Sequence, residues 1–455
     1  MIAEPYGLQR DMLMFATRDQ RGDPRTQRYA NVWEVLRVRG PLDVGRLLAA
    51  AEATAQDMDT LGGRFRHRDG ADGFAFDPER RRISHAFLRL TGTDGDLAGS
   101  GAAETLRRAA HQLRDLQRDP PVHVLVAELG EQDHLLLLVM DHSVSDGRTL
   151  VLFLRRLARH YRRRSAERPF PGFWDFTRSI AEARPERTAA REFWSGALYR
   201  AADDRARPSF PGGRWKPKGT RDLTAVRLDE WPREESAGLD RLANAYRVRP
   251  HLLILSALSL VVSAWGDRFV PINYMRNGRG RREWTSVPGP LAEHAVTVPD
   301  PSESCDDDRG IADRLCSWAH ENSSSPPHFG LSQRELETLS SEENRLVLFN
   351  FLPSIAPMSL DRGPEAGDGA VATPDPQVKD LIEAYDTTSR FGVRVQLLHD
   401  PRQRLQFAVH SDPEILPRPE ALGRSVRRVL RWAVTEPALS PATAVKLVRQ
   451  DWSRP

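Results

Sequence analysis

Cysteine is almost absent from this chain of 455 residues: Cys305 and Cys316 are the only two. That excludes a disulfide framework and a four-thiolate zinc site. Lysine is nearly as scarce. Just four of the 66 basic residues are lysine (Lys216, Lys218, Lys379 and Lys446), and the rest are arginine. The arginines are scattered and offset by 63 acids, leaving a net charge of +3 and no basic stripe for a nucleic-acid groove. No apolar run approaches the ~20 residues of a membrane helix. The longest, Leu252 to Trp265, has the length of a buried core helix and carries three serines. The opening residues, MIAEPYGLQRDM, lack the charged-then-apolar pattern of a secretory signal. The expectation is a monomer in a reducing cytoplasm, with no nucleic-acid or membrane partner.

What is present is the balance of a globular protein, 40% apolar and 28% charged, in a chain long enough for two domains or one two-lobed unit. Strand and helix patterns alternate. Asn31 to Arg39, His123 to Leu129 and His134 to Met140 read as strands, and Pro41 to Ala55 as a helix. The run HLLLLVM at His134 to Met140 is apolar on consecutive positions, which predicts burial on both faces. From Gly147 an amphipathic helix follows directly. Between Asp203 and Arg221 prolines, glycines and arginines mark a linker or exposed crossover. Beyond it, Leu223 to Leu228, Phe269 to Tyr274, Leu346 to Phe351, Val393 to His399 and Leu405 to His410 read as strands. Helices are predicted at Glu234 to Tyr246, His251 to Trp265 and Arg418 to Ala433. Pro301 to Gly310 and Asp361 to Gln377 read as mobile.

The most informative segment is MDHSVSDGRTL, Met140 to Leu150. It places His142, Asp146 and Gly147 in the pattern H-x-x-x-D-G where a buried strand gives way to a helix. A histidine at the end of a core strand is held rigidly and still faces a channel. The aspartate turns back to fix the loop, and the glycine is expected to permit a sharp bend. Downstream, the run LRRLARHYRRR (Leu154 to Arg164) reads either as a solvated helix face or as a docking patch for an acidic partner, with Arg155 and Arg159 on its open side.

This segment resembles the HHxxxDG signature of nonribosomal peptide synthetase condensation domains and their chloramphenicol-acetyltransferase-like relatives. Other stretches follow in the family's order. Gly7-Leu8-Gln9 resembles its opening motif. Phe173 to Ser179 (FWDFTRS) resembles Y-x-D-F-A, and Glu192-Phe193-Trp194 with Leu198 resembles Y-W-x-x-x-L. Gly278-Arg279 and then Gly289-Pro290-Leu291 resemble G-R-(x)n-I-G-x-F, while Asp386 with its following strands and the Arg418 helix resemble the C-terminal end.

The resemblance implies an α/β fold with mixed sheets: two acetyltransferase-like lobes, 1–180 and 181–455, in a V-shaped pseudo-dimer around a central channel. It implies a free-standing condensation enzyme in specialised-metabolite biosynthesis. The donor would be an acyl thioester on the phosphopantetheine of a carrier protein, and the acceptor a small amine or alcohol. His142 would orient the acceptor or take its proton. Asp146 would be structural, salt-bridged to Arg279, with Arg276 as runner-up. No metal or redox cofactor is implied. A coenzyme A-dependent acyltransferase and a catalytically silent recruitment domain are the alternatives on the same fold.

The chain departs from the signature at named positions. Asp141 stands where the first histidine belongs. Strand neighbours point to opposite faces, so Asp141 is expected to face away from His142 as altered structural support, given a hydrogen-bond donor. Arg148 replaces an apolar or aromatic residue, Glu293 sits where asparagine is common, and no arginine-rich last motif is recognisable. Other constellations are weaker. Gly278-Arg279-Gly280 lacks the second strand–helix unit of a nucleotide fingerprint. Ser143 and Ser145 are too close to His142 to form a Ser-His pair with it, and Cys316 and His320, four apart on one helix face, do not complete a zinc site.

Overall fold

In a computed structural model, the structure describes residues 30–61, 64–67, 74–77, 83–90, 101–112, 114, 118–163, 169–201, 210–213, 221–228, 231–266, 272–297, 309–326, 347–351, 355–360, 369–383, 388–389, 392–399 and 405–452. Gly7 to Gln9, Cys305, Arg164 and Asp386 lie outside them, as do most of the expected linker and most of Pro301 to Gly310.

The first part of the chain runs β1 (Asn31–Arg39), α1 (Val44–Gln56), β2 (Ser84–Arg89), α2 (Gly101–His111), β3 (Val122–Gly130), β4 (Asp133–Asp141), α3 (Gly147–Tyr161), α4 (Phe173–Glu182) and α5 (Arg184–Ala201). It continues through β5 (Thr224–Arg227), α6 (Arg233–Ala245), α7 (Pro250–Gly266), β6 (Asn273–Arg276), β7 (Glu293–Val296), α8 (Ile311–Ser324) and β8 (Val347–Phe351). Last come β9 (Met358–Ser359), β10 (Val371–Pro374), α9 (Pro376–Glu383), β11 (Val393–His399), β12 (Leu405–Ser411), α10 (Pro419–Thr435) and α11 (Pro441–Trp452).

Two six-stranded mixed sheets organise these elements, in the orders β9-β10-β1-β4-β3-β2 and β7-β6-β8-β11-β12-β5. The α/β class and the two-lobed arrangement are as the sequence implied. Two strands from residues 358–374, far beyond the expected division at 180, complete the first sheet, with β10 antiparallel to β1. The reading of Asp361 to Gln377 as mobile is corrected here. Residues 361–368 lie outside the described set, but Val371–Pro374 is a strand and Pro376 begins a helix. Asp375 makes that turn regular by accepting from the backbone N–H of Gln377 and Val378. A Pro-Asp-Pro sequence looks like loop because its ordering comes from β1, not from its own pattern.

β4 leads into the loop that carries His142, and its burial explains why that end is held in place. Leu136, Leu138 and Met140 pack with residues of α1 and α3 on one face. Leu135, Leu137 and Val139 pack with residues of α2 and α9 on the other. The alternation of period two divides one apolar run between two cores, as the sequence predicted.

The second lobe is built around α7, which is apolar on all sides and therefore buried. Two of its serines are satisfied inside the helix, Ser256 Oγ donating to Leu252 O at 2.9 Å and Ser259 Oγ to Leu255 O at 3.0 Å. Among the described residues no single helix is long and apolar enough to cross a membrane.

Candidate active site

The loop from 142 to 145 joins the end of β4 to the start of α3. His142 begins it, its backbone N–H donating to Ala30 O at 2.7 Å, just before β1. Its half-buried ring lies with Nδ1 2.8 Å from Ser145 O. A carbonyl oxygen only accepts, so the proton of this bond sits on Nδ1. The neutral ring then keeps its lone pair on Nε2, the form that takes a proton.

Asp146 closes the loop from the other side. It is the N-cap of α3, and its Oδ1 accepts from the N–H and hydroxyl of Thr149, both at 2.8 Å. Its Oδ2 reaches the second lobe, accepting from Arg279 Nη1 at 2.7 Å and from the N–H groups of Leu291 and Ala292, each at 3.0 Å. Arg279 Nη2 adds a second contact to Oδ1 at 3.1 Å. The pair is shut off from solvent, with side chains 0% and 2% exposed for arginine and aspartate. Arg279 spends its remaining donors on Val287 O, Asn277 and Gly289 O. Burial alone would raise the Asp146 pKa. The charge and hydrogen bonds of Arg279, then those of Thr149, outweigh it and hold the carboxyl below its usual range.

Thr149 extends the clamp. Its Oγ1 lies 2.9 Å from Gly289 O and accepts from Gly289 N–H at 2.8 Å. Gly289 has φ +143°, and a Cβ there would lie 2.3 Å from Phe173 Cδ2. The aromatic start of α4 and the Gly-Pro-Leu stretch are thus pressed together at the lobe junction. Asp59 fixes that end of α4, Oδ1 accepting from Phe173 N–H at 3.1 Å.

The expected site residues are placed as follows. His142, Asp146 and Arg279 come together. Arg276 does not join them: Nη1 donates to Ser325 and to Pro326 O, and Nη2 lies 3.8 Å from the buried Glu293. The expectation that Gly147 permits the bend is corrected. Gly147 is the first residue of α3 and is not among the left-handed glycines; the reversal is made by the turn before it. Asp141 is buried, and Oδ1 accepts from Ser143 N–H at 2.8 Å and Ser143 Oγ at 2.5 Å, which supplies the donors the substitution requires. Both loop serine hydroxyls bond Asp141 and not His142, since Ser145 Oγ donates to Asp141 O at 2.8 Å.

On α3, Arg155 is exposed and Arg159 half-exposed, whereas Arg156 turns inward, 3.4 Å from Asp57 and over the Phe170 ring. Arg148 is half-buried. Burial, then the nearby charges of Arg155 and Arg279, pull its pKa down. Cys316 is buried, which pushes its thiol up to about 12, and His320 bonds Tyr246 O instead. No group of metal-ligating side chains occurs among the described residues. Sequence reasoning missed Thr149, the Leu291 and Ala292 N–H groups and the Ser145 carbonyl. Only Thr149 left a local signal, as the third residue after an N-cap aspartate.

The Condensation domain family model matches residues 8–289. The chain belongs to the condensation-domain family. A probable non-canonical nonribosomal peptide synthetase, CymA, from Salinispora arenicola is 26% identical over 475 aligned positions, covering 90% of this chain and 6% of that protein. Cyclosporin synthetase from Tolypocladium inflatum is 32% identical over 126 residues, 28% of this chain and 1% of the synthetase. The domain therefore spans a small part of the length of these relatives. The first condensation domain of the CDA synthetase superposes with a TM-score of 0.71 at 20% identity, covering 97% of this chain and 98% of that one. That similarity shows the fold, which is common to condensation domains of nonribosomal peptide synthesis.

The ion pair makes the domain's stability depend on pH in a defined direction. A carboxyl with a lowered folded-state pKa contributes its full stability above the unfolded value and loses it as pH falls through the folded one. At neutral pH, Asp146→Asn leaves Arg279 buried and uncompensated and is expected to cost about 3–5 kcal/mol. The gap to the parent should begin to narrow as pH falls below about 3.9, the usual carboxyl value, and close only below the lowered folded-state pKa of Asp146. Calorimetric melting between about pH 3 and pH 7 checks this; a gap independent of pH would mean the carboxylate charge is not what Arg279 meets.

Proposed function

We propose that this condensation domain transfers an acyl group from a phosphopantetheine thioester on a carrier protein to a small amine or alcohol. The product is an amide or an ester, in biosynthesis of the nonribosomal peptide type. One observation carries the reading: His142 holds its proton on Nδ1 against Ser145 O, at the tip of a strand buried on both faces. That leaves Nε2 as a fixed proton acceptor at the lobe junction.

In the reaction, Nε2 accepts hydrogen from the nucleophile as its nitrogen or oxygen attacks the thioester carbonyl. The C–N or C–O bond forms and the C–S bond breaks. The proton is returned to the departing sulfur, so the free thiol is the second product. Donor and acceptor meet in a channel between the lobes, whose relative position the Asp146–Arg279 clamp fixes.

The open stripe of α3 is the proposed docking face. Arg155 and Arg159 lie four residues apart, so they share a side of the helix and offer positive charge to an acidic carrier.

His142→Ala is expected to lower turnover by about 10²–10⁴-fold while the melting temperature stays that of the parent. Turnover unchanged within a factor of a few would replace this reading with a silent recruitment domain. The docking face predicts a second outcome. Arg155→Glu with Arg159→Glu should slow transfer from a carrier-bound donor, less so as salt rises, and leave the matching coenzyme A thioester unaffected. Equal rates for parent and double variant on both donors would make the stripe ordinary surface.

A further inference from the structure

Asp141 lies where the family signature has a histidine, and its contacts run into the catalytic loop instead of away from it. Four loop groups converge on this one residue. Its Oδ1 accepts from the N–H and the hydroxyl of Ser143, and its backbone O accepts from Val144 N–H at 3.2 Å and Ser145 Oγ at 2.8 Å. Ser145 is 0% exposed, and its carbonyl receives the Nδ1 proton of His142. The direction of that carbonyl therefore decides both where the imidazole points and which nitrogen is left unprotonated.

We propose that Asp141 is a positioning residue for His142: by closing the turn on Ser143 and Ser145 it aims the Ser145 carbonyl and thereby fixes the imidazole tautomer. This rests on His142 being the base. A carboxylate oxygen has two lone pairs and takes both Ser143 donors at once, whereas one unprotonated ring nitrogen accepts only one. The aspartate is thus matched to the serine two residues on, in a turn that the signature histidine would hold by a single bond.

Burial raises the carboxyl pKa of Asp141, and the Ser143 bonds, His142 and Arg114 offset only part of that rise. Arg114 approaches from the segment before β3, its Nη1 donating to Ser84 Oγ at 3.2 Å. On the same side of the sheet, Asn31 stands opposite Asp141 in the β1–β4 register and donates to Ala110 O and Gln112 O. His123 accepts or donates at Ser84 Oγ, and burial together with Arg114 lowers its pKa to about 4, so it is neutral and adds no charge at physiological pH. Arg114 is the cation of this group.

The test reads the tautomer directly. In protein labelled with ¹⁵N-histidine, the His142 ring signals are assigned by their loss in His142→Gln. The parent should show the Nδ1-protonated form. Asp141→Asn keeps an oxygen that accepts both Ser143 bonds, so it should keep that tautomer and a kcat close to the parent's. Asp141→Ala should mix the tautomers and lower kcat by about 10²-fold with KM unchanged. Should Asp141→Ala not fold, Ser143→Ala removes the hydroxyl bond alone and should shift the tautomer in the same direction. A parent tautomer retained in Asp141→Ala, or in Ser143→Ala where that stands in for it, overturns the proposal, as does an Asp141→Asn as impaired as Asp141→Ala. A parent that transfers no acyl group would instead overturn the proposed function, and the tautomer measurement would still stand.

Discussion

The buried ion pair between Asp146 and Arg279 is the constraint on which the rest of the structure depends. Taking two charges out of water costs several kcal/mol each, and such a pair is favourable only when every donor and acceptor finds a partner. Here the condition is met. Both carboxylate oxygens and all three guanidinium nitrogens are engaged, with Thr149, Leu291 and Ala292 completing the aspartate's shell and Val287, Asn277 and Gly289 the arginine's. Either partner alone would be a buried unpaired charge, so the two lobes cannot separate here without a large penalty.

The loop from 142 to 145 inherits its rigidity from that pair. Its far end is the Asp146 N-cap, clamped to the second lobe; its near end is Asp141, the last residue of a strand packed on both faces. Between them the apex is tied by Thr60 Oγ1, which donates to Val144 O at 3.1 Å. Four residues held at three points have little freedom, and His142 is one of them. The placement of His142 is thus set by Asp141, Thr60 and Asp146, none of which hydrogen-bonds its ring.

Much of this was legible in the sequence where the signal was local. The consecutive leucines before His142 announced a strand buried on both faces, and the pattern marked Asp146 as the residue that fixes the loop, which it does as the N-cap of α3. Arg279 was reachable only through a family resemblance, because its partner lies 133 positions away. The other members of the clamp were out of reach for a physical reason: the Leu291, Ala292 and Gly289 contacts are made by backbone groups, which no residue type reveals. Glycine was the misleading signal. Gly147 drew attention as the signature residue but starts a helix normally, while Gly289 is the one whose positive φ and closeness to Phe173 no other residue satisfies. Likewise β10 and α9 hid in a Pro- and Asp-rich stretch, because their order comes from β1 and from Asp375.

The central claim is that Asp146 and Arg279 act as one unit joining the lobes, and a double-mutant cycle measures that unit most directly. Asp146→Ala, Arg279→Ala and the double variant are compared with the parent by calorimetric or denaturant unfolding. The account predicts strong coupling, with the double variant no less stable than either single one and an interaction energy of about 3 kcal/mol. Additive losses, the double variant falling by the sum of the two, would contradict it and show that the two residues stabilise the domain independently.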